Sequence, residues 1–163
     1  LPEHSKALGA AVEALHSADM IVLAPGSLYT SIIPNLLVDG IADAIRDSKA
    51  LKLYVCNVMT QEGETEGYTV SDHIQALFSH SYPGLFRLCL TNSTPIPEVI
   101  ALRYAQEGAE PIRHDVEKCR ALGVELIDRP VAALENGLVR HNPGHLAHEL
   151  MTIYEEYKPK DPA

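Results

Sequence analysis

Met20-Ile-Val-Leu-Ala-Pro-Gly-Ser-Leu-Tyr-Thr-Ser-Ile-Ile-Pro-Asn-Leu-Leu37 decides the reading of the fold. An unbroken apolar run stops at Pro25-Gly26-Ser27, and small hydroxyl residues then open a helix. Buried strand, glycine turn and helix start, in that order, are how parallel α/β proteins build anion sites. Free backbone N–H groups and the positive end of the helix dipole converge where a phosphate sits. Phosphate or nucleotide binding is therefore the first hypothesis, with Gly26, Ser27, Tyr29, Thr30 and Ser31 as candidate donors. A plain strand-to-helix turn, using Gly for conformation and Ser as cap, has the same local pattern. Neither Gly-x-Gly-x-x-Gly nor the Walker pattern is present to decide between them.

The rest of the chain alternates in the same way. Leu8, Val12 and Leu15 predict an amphipathic helix over 3–16, and 20–24 and 51–58 are apolar runs suited to parallel strands covered on both faces. Ile41, Ala44 and Ile45 mark a short helix, with Pro34 breaking it from the preceding turn. Thr69-Val-Ser-Asp72 has capping-box spacing ahead of the stripe Val70, Ile74 and Leu77. A strand over 86–91 follows, then a helix with Pro97 at its first position that passes through Tyr104 and ends near Gly108. Asp115 caps a helix stopping at Gly123, ahead of a strand over 124–127. Glu135-Asn-Gly137, between Val131 and Val139, reads as a hairpin turn. Asn142 and Pro143 open a last helix with Leu146, Leu150, Ile153 and Tyr157 on one face. The sum is a single α/β domain over 1–157: Rossmann-like, a doubly wound, largely parallel sheet with flanking helices and a small appended hairpin, followed by a frayed tail at 158–163.

Composition bounds the function. The chain has 163 residues, 46% of them apolar and 21% charged, enough for one domain with a real core. A formal net charge of −9 with no Lys/Arg cluster argues against nucleic-acid binding. Three widely spaced cysteines, Cys56, Cys89 and Cys119, form neither a disulfide framework nor a metal clip. The absence of a long apolar span or a signal-peptide pattern predicts a cytoplasmic protein with no membrane insertion. A start at Leu1 rather than Met suggests a fragment or a processed product.

Two further constellations carry chemistry. The loop over 57–68 contains Asn57, Thr60, Gln61, Glu62, Glu64, Thr65, Glu66 and Tyr68. Its alternate glutamates would repel a bare phosphate; they suit Mg²⁺, sugar hydroxyls or plain solvation. Asn57, at a strand end, is the better ligand contact. Arg140-His141 lies between the hairpin and the last helix, and Tyr104 on another helix; Arg suits bidentate phosphate binding and Tyr suits stacking on a base, while by pattern alone each reads more readily as a surface residue or a structural hydrogen-bonder. Two patterns fail. His141, His145 and His148 lack a His-Glu-x-x-His frame or a carboxylate partner, so no metal site is assigned. Ser71-Asp72-His73 are helix neighbours pointing to different faces and cannot form a triad.

Residues 24–37, followed by Tyr54-Val-Cys-Asn-Val-Met-Thr-Gln-Glu-Gly-Glu-Thr-Glu-Gly-Tyr-Thr-Val-Ser-Asp-His73 and then by Arg140-His141, closely resemble the bacterial gluconeogenesis factor family. That family shares a superfamily with archaeal 2-phospho-L-lactate transferase. The resemblance implies a Rossmann-like fold and a nucleotide ligand, a UDP-sugar in the bacterial branch. It also implies a regulatory role linking carbon metabolism to cell-wall synthesis and cell shape, with no cofactor required. By the same resemblance, Tyr104 and Arg140 match family positions associated with UDP-sugar binding, and Gly26 to Ser31 and Asn57 to Thr60 look like the pocket edge. The transferase branch, by contrast, moves a phospholactyl group onto a deazaflavin with Mg²⁺. No self-evident nucleophile or general base is present, so catalytic residues stay unassigned and the regulator is preferred. A third reading makes this portion a homo-oligomerising or partner-docking half. Departures are visible. Family members are about twice this length, and their Gly-Gly-Gly-Thr-Gly turn and Asp-Asp-Gly-Gly-Ser-Ser-Gly segment are absent, so the likeness is to the C-terminal half. Glu62 replaces the family's usual Pro, and Asn142 its usual Asp.

Overall fold

The computed structural model describes residues 5–158. Four short segments, β1 (Met20–Leu23), β2 (Leu51–Val55), β3 (Leu88–Asn92) and the more polar β4 (Glu125–Arg129), form one parallel sheet in the order β1-β2-β3-β4. Strand order equals chain order, with no reversal, so the sheet winds in one direction rather than doubly. Alternation of strands and helices cannot reveal this, because pairing order is a long-range property.

Although β1 to β3 are mostly apolar, their residues divide by the two-residue period of the pleat. Ile21, Leu23, Tyr54 and Cys89 face one core, packed by α3 (Ile41–Asp47), α4 (Val70–Ser79) and α6 (Val116–Ala121) through Ile45, Ile74, Leu77 and Cys119. Leu53, Val55, Leu88, Leu90 and Ile127 face the other, which the last helix, α7 (Pro143–Tyr157), covers with Leu146, Leu150 and Ile153. Helices thus lie on both faces, as expected. The three cysteines are buried free thiols, and burial pushes Cys119 up to about 12.

The chain leaves β1 through Pro25–Ser27 into a wide π-helical turn, Leu28–Ile32, that runs directly into α2 (Ile33–Leu36). Pro34 therefore starts a helix instead of breaking one. The break falls later, at Gly40 with φ 95°, a conformation that disfavours a side chain. At the other end, α1 spans only Gly9–Ser17. Residues 5–7 are extended, with Ala7 N–H donating to Asp39 O at 2.9 Å, and the first four residues of the expected 3–16 helix are only partly among those described.

Local signals hold well elsewhere. Thr69 and Asp72 form the capping box of α4, and Asn142 Oδ1 accepts His145 N–H at 3.0 Å ahead of Pro143. Asn136 (φ 50°) and Gly137 (φ 77°) turn the hairpin β5 (Ala132–Glu135)–β6 (Leu138–His141), the two positive angles of a tight hairpin turn. Two positions shift. Pro97 is the cap of α5 (Glu98–Gln106), not its first residue. Phe86 precedes β3 and fills the core beside Tyr54 and Phe78. Of the expected frayed tail, only Lys158 is among the described residues.

Candidate functional site

Because the strands are parallel, the loops leaving β1, β2 and β3 and the hairpin after β4 gather at one edge of the sheet, where ligands of open α/β sheets collect. A cavity of about 390 Å³ opens there. Its walls are Pro25–Ser27 after β1, residues 57–61 after β2, Tyr104 of α5, and Val139, Arg140 and His141 of β6. Gly26, Ser27, Asn57, Thr60, Tyr104 and Arg140, distant in sequence, line one space. Tyr29, Thr30 and Ser31 lie outside that lining.

The turn after β1 is fixed by the loop after β2. Asn57 Oδ1 accepts Gly26 N–H at 3.1 Å, and Asn57 Nδ2 donates to Gly26 O at 2.7 Å. Gln61 Nε2 donates to Ser27 Oγ at 3.1 Å. Gly26 N–H is therefore already engaged and is not a spare phosphate donor. Tyr29 N–H, in the first turn of the π-helical segment, donates to Glu64 Oε1 at 2.7 Å, which places a carboxylate at the positive helix end. Tyr29 and Tyr68 hydroxyls meet at 2.9 Å, and this bond is the main reason Tyr29 is pushed up to about 12.

The glutamates brace their loop. Besides Glu64, the Glu66 carboxylate accepts Gly63 N–H, and Glu62 packs where a Gly108 side chain would be. None lines the cavity. Among the described residues no cluster of three His, Cys, Asp or Glu could hold a metal. A lining without carboxylates does not fit an Mg²⁺ site, which takes hard anionic oxygens.

Thr60 and Tyr104 hold the walls in place. Thr60 Oγ1 accepts Glu110 N–H at 2.8 Å, and its own N–H donates to Glu110 O. Tyr104 Oη accepts Val139 N–H at 2.9 Å, tying α5 to the strand that carries Arg140. Arg103 adds a hydrogen bond to Gly137 O. The Arg140 backbone pairs with Ala133 in the hairpin, whereas its exposed guanidinium has neither a hydrogen bond nor an ion pair with the described residues. His141 is held neutral: burial lowers its affinity for a proton, against a smaller opposing effect of the Cys56 backbone, and its Nε2 is buried without a partner. The cavity thus offers one guanidinium, one neutral imidazole, amide and hydroxyl groups, and an aromatic wall.

With that geometry in view, relationships to known proteins can be placed. Residues 1–132 match the family model described as 2-phospho-L-lactate transferase CofD. The chain belongs to the CofD family. Within that set it is 45% identical over 150 residues to a gluconeogenesis factor of Halalkalibacterium halodurans, covering 92% of this chain and 47% of the relative. It is 40% identical over 155 residues to the gluconeogenesis factor of Bacillus subtilis, covering 95% and 49%. A crystal structure of a Bacillus halodurans protein superposes with a TM-score of 0.88 at 45% identity, over 92% of this chain and 48% of that one. The chain spans about half the length of the curated relatives it matches.

Within this CofD-family fold, two lining side chains give little sequence signal. Gln61 is one polar residue in a polar loop, and His141 is marked only by adjacency to Arg140 and by a histidine run that matches no metal frame. Their contacts, Ser27 and the Cys56 backbone, are long-range.

Proposed function

We propose that this chain carries the ligand-binding edge of a gluconeogenesis-factor-type regulator acting in the cytoplasm, and that the cavity takes the diphosphate of a UDP-sugar. The observation that carries the reading is Arg140, an unpaired guanidinium in the wall of a cavity whose other rim is the Pro25–Ser27 turn. A guanidinium without an internal partner at a site with no carboxylates supports anion binding, because its fork matches phosphate oxygens. Ser27, Asn57 and Gln61 supply neutral donors, and the Tyr104 ring offers a wall for the nucleoside. Tyr29, Thr30 and Ser31 extend this edge outward, and Thr60 holds the loop. Coupling of carbon metabolism to cell-wall synthesis and cell shape belongs to the whole regulator.

The family model's description favours a second reading, a phospholactyl-type transferase with Mg²⁺. Its step would need charge developing on a transferred phosphoryl group to be stabilised by positioned donors. Calorimetric titration with UDP-N-acetylglucosamine and with GDP, each with and without Mg²⁺, separates the two. The regulator predicts metal-independent binding with uridine preference. Strict Mg²⁺ dependence with guanine preference would overturn it.

A further inference from the structure

A second cavity, of about 300 Å³, adjoins the first and shares Asn57 and Val58 with it. It lies beyond the ends of β2 and β3, with Asn57 and Asn92 in its walls. Its walls are of two kinds: Val58, Ile96, Pro111 and Ile112 are apolar, whereas Asn92, Thr94 and His114 are polar. We propose that this second lobe is the glycosyl subsite of the ligand whose diphosphate occupies the first, with His114 as its specificity-determining contact; this inference rests on the UDP-sugar reading.

The polar groups are held in fixed orientations. His114 Nδ1 lies 3.0 Å from Asp128 Oδ1, and the Asp128 carboxylate also accepts the Thr91 hydroxyl. With Nδ1 engaged by Asp128, Nε2 is the ring nitrogen left to bond a sugar hydroxyl. Asn92 Oδ1 accepts both Thr94 N–H and Ala132 N–H at 3.0 Å, and Thr94 Oγ1 donates to Ala132 O at 3.3 Å. The lobe's polar rim is therefore tied to the start of the hairpin that carries Arg140. The extended segment 110–112 closes the other side through Ile112 N–H to Val58 O at 3.0 Å.

Three alternatives for the lobe are weaker. A second phosphate would find no Lys or Arg in the walls, and the Asp128 carboxylate close behind His114. A base is better placed against Tyr104 in the first lobe, since the second has no Phe, Tyr or Trp in its walls. A purely apolar group would leave the Asp128-held imidazole without a partner. A pyranose meets both demands, with a C–H face for the apolar wall and hydroxyls for the rim. Each lobe alone is at the small end of the roughly 300–1,000 Å³ typical of ligand pockets, so a ligand bridging both suits them better than two separate ones.

The test is calorimetric titration of UDP and of UDP-N-acetylglucosamine into wild type, His114→Ala, His114→Gln and Arg140→Ala. Wild type binds the UDP-sugar more tightly than UDP. His114→Ala weakens the UDP-sugar about tenfold, the worth of one lost hydrogen bond, and leaves UDP unchanged. His114→Gln, which keeps a hydrogen-bonding group near the Nε2 position, recovers most of the loss. Arg140→Ala weakens both ligands. If wild type binds both ligands equally and His114→Ala changes neither, the subsite assignment is wrong while the diphosphate reading stands. If wild type binds neither ligand, both readings fall. An unchanged melting temperature for His114→Ala, whose side chain is 28% exposed, confirms that the comparison is made on folded protein.

Discussion

Removing the Asp115 carboxylate should cost this protein about 3 kcal/mol, chiefly through three N–H and O–H donors that lose an acceptor at once, with the Cys119 thiol, 3.7 Å from Oδ1, a weak fourth. Asp115 precedes α6, yet its side chain does not cap that helix. It reaches instead to the start of α4, accepting Thr69 Oγ1–H at 2.8 Å, Ser71 N–H at 2.9 Å and Ser71 Oγ–H at 2.5 Å. Hydrogen bonds to a charged acceptor are worth about 1.5–3 kcal/mol each, but the hydroxyls retain other partners, so about 1 kcal/mol per bond is the working figure. Lys118, 3.8 Å away and largely exposed, adds little. For a chain of this size, about 3 kcal/mol lowers Tm by about 6–12 °C in Asp115→Ala, read by circular dichroism. Asp115→Asn, which keeps one acceptor oxygen, should lose roughly half as much.

The effect must also depend on pH. Burial pushes the Asp115 carboxyl up, but the Ser71 and Thr69 hydrogen bonds together outweigh it and leave it below its ordinary value. A depressed carboxyl contributes its full stability above the unfolded value, about 3.9, and loses it as pH falls through the folded value. Urea unfolding at pH 7 and pH 3 should therefore show the Asp115→Ala penalty shrinking at pH 3. A penalty under 1 kcal/mol at pH 7, or one equal at both pH values, refutes the reasoning.

Other perturbations follow from the same geometry. Asn57→Ala removes the reciprocal pair with Gly26 and should cost about 1–3 kcal/mol in urea unfolding, while weakening UDP-sugar binding because Asn57 lines both lobes. Gly137→Ala forces a side chain onto φ +77°, where its Cβ would lie 2.9 Å from Arg103 Nη1; a loss of at least about 1 kcal/mol is expected in thermal unfolding. Burial lowers the proton affinity of His73 and His141, so stability should fall as pH drops below about 6.5, the unfolded value, toward the folded ones. Guanidinium midpoints at pH 7.5 and 5.5 measure this, and equal midpoints would contradict it.

Much of the fold is legible in the sequence because its cues are local. The Thr69/Asp72 box, the Asn142-Pro143 helix start and the Asn136-Gly137 turn each need only neighbouring residues, and each is where the pattern puts it. Strand order is not local, and a singly wound sheet has the same alternation as a doubly wound one. Asp115 shows the same limit at a single side chain: its position before α6 reads as a cap, whereas its acceptor oxygens serve α4, 44 residues back at Ser71. The site divides likewise. Gly26, Ser27, Asn57 and Arg140 stand out by residue type at element ends. The engagement of Gly26 N–H by Asn57, the Glu64 bond to Tyr29, and the Asp128–His114 pair beside the second cavity depend on contacts no local pattern encodes.

Arg140 bears the central claim, and its removal tests that claim most directly. Calorimetric titration of UDP-N-acetylglucosamine without Mg²⁺ should show measurable binding by wild type. Arg140→Ala should weaken it by about 10–100-fold, as expected for a lost charge-assisted contact to phosphate, with Arg140→Lys in between because an ammonium keeps charge without the fork. Equal affinity in wild type and Arg140→Ala, both folded, would contradict the account.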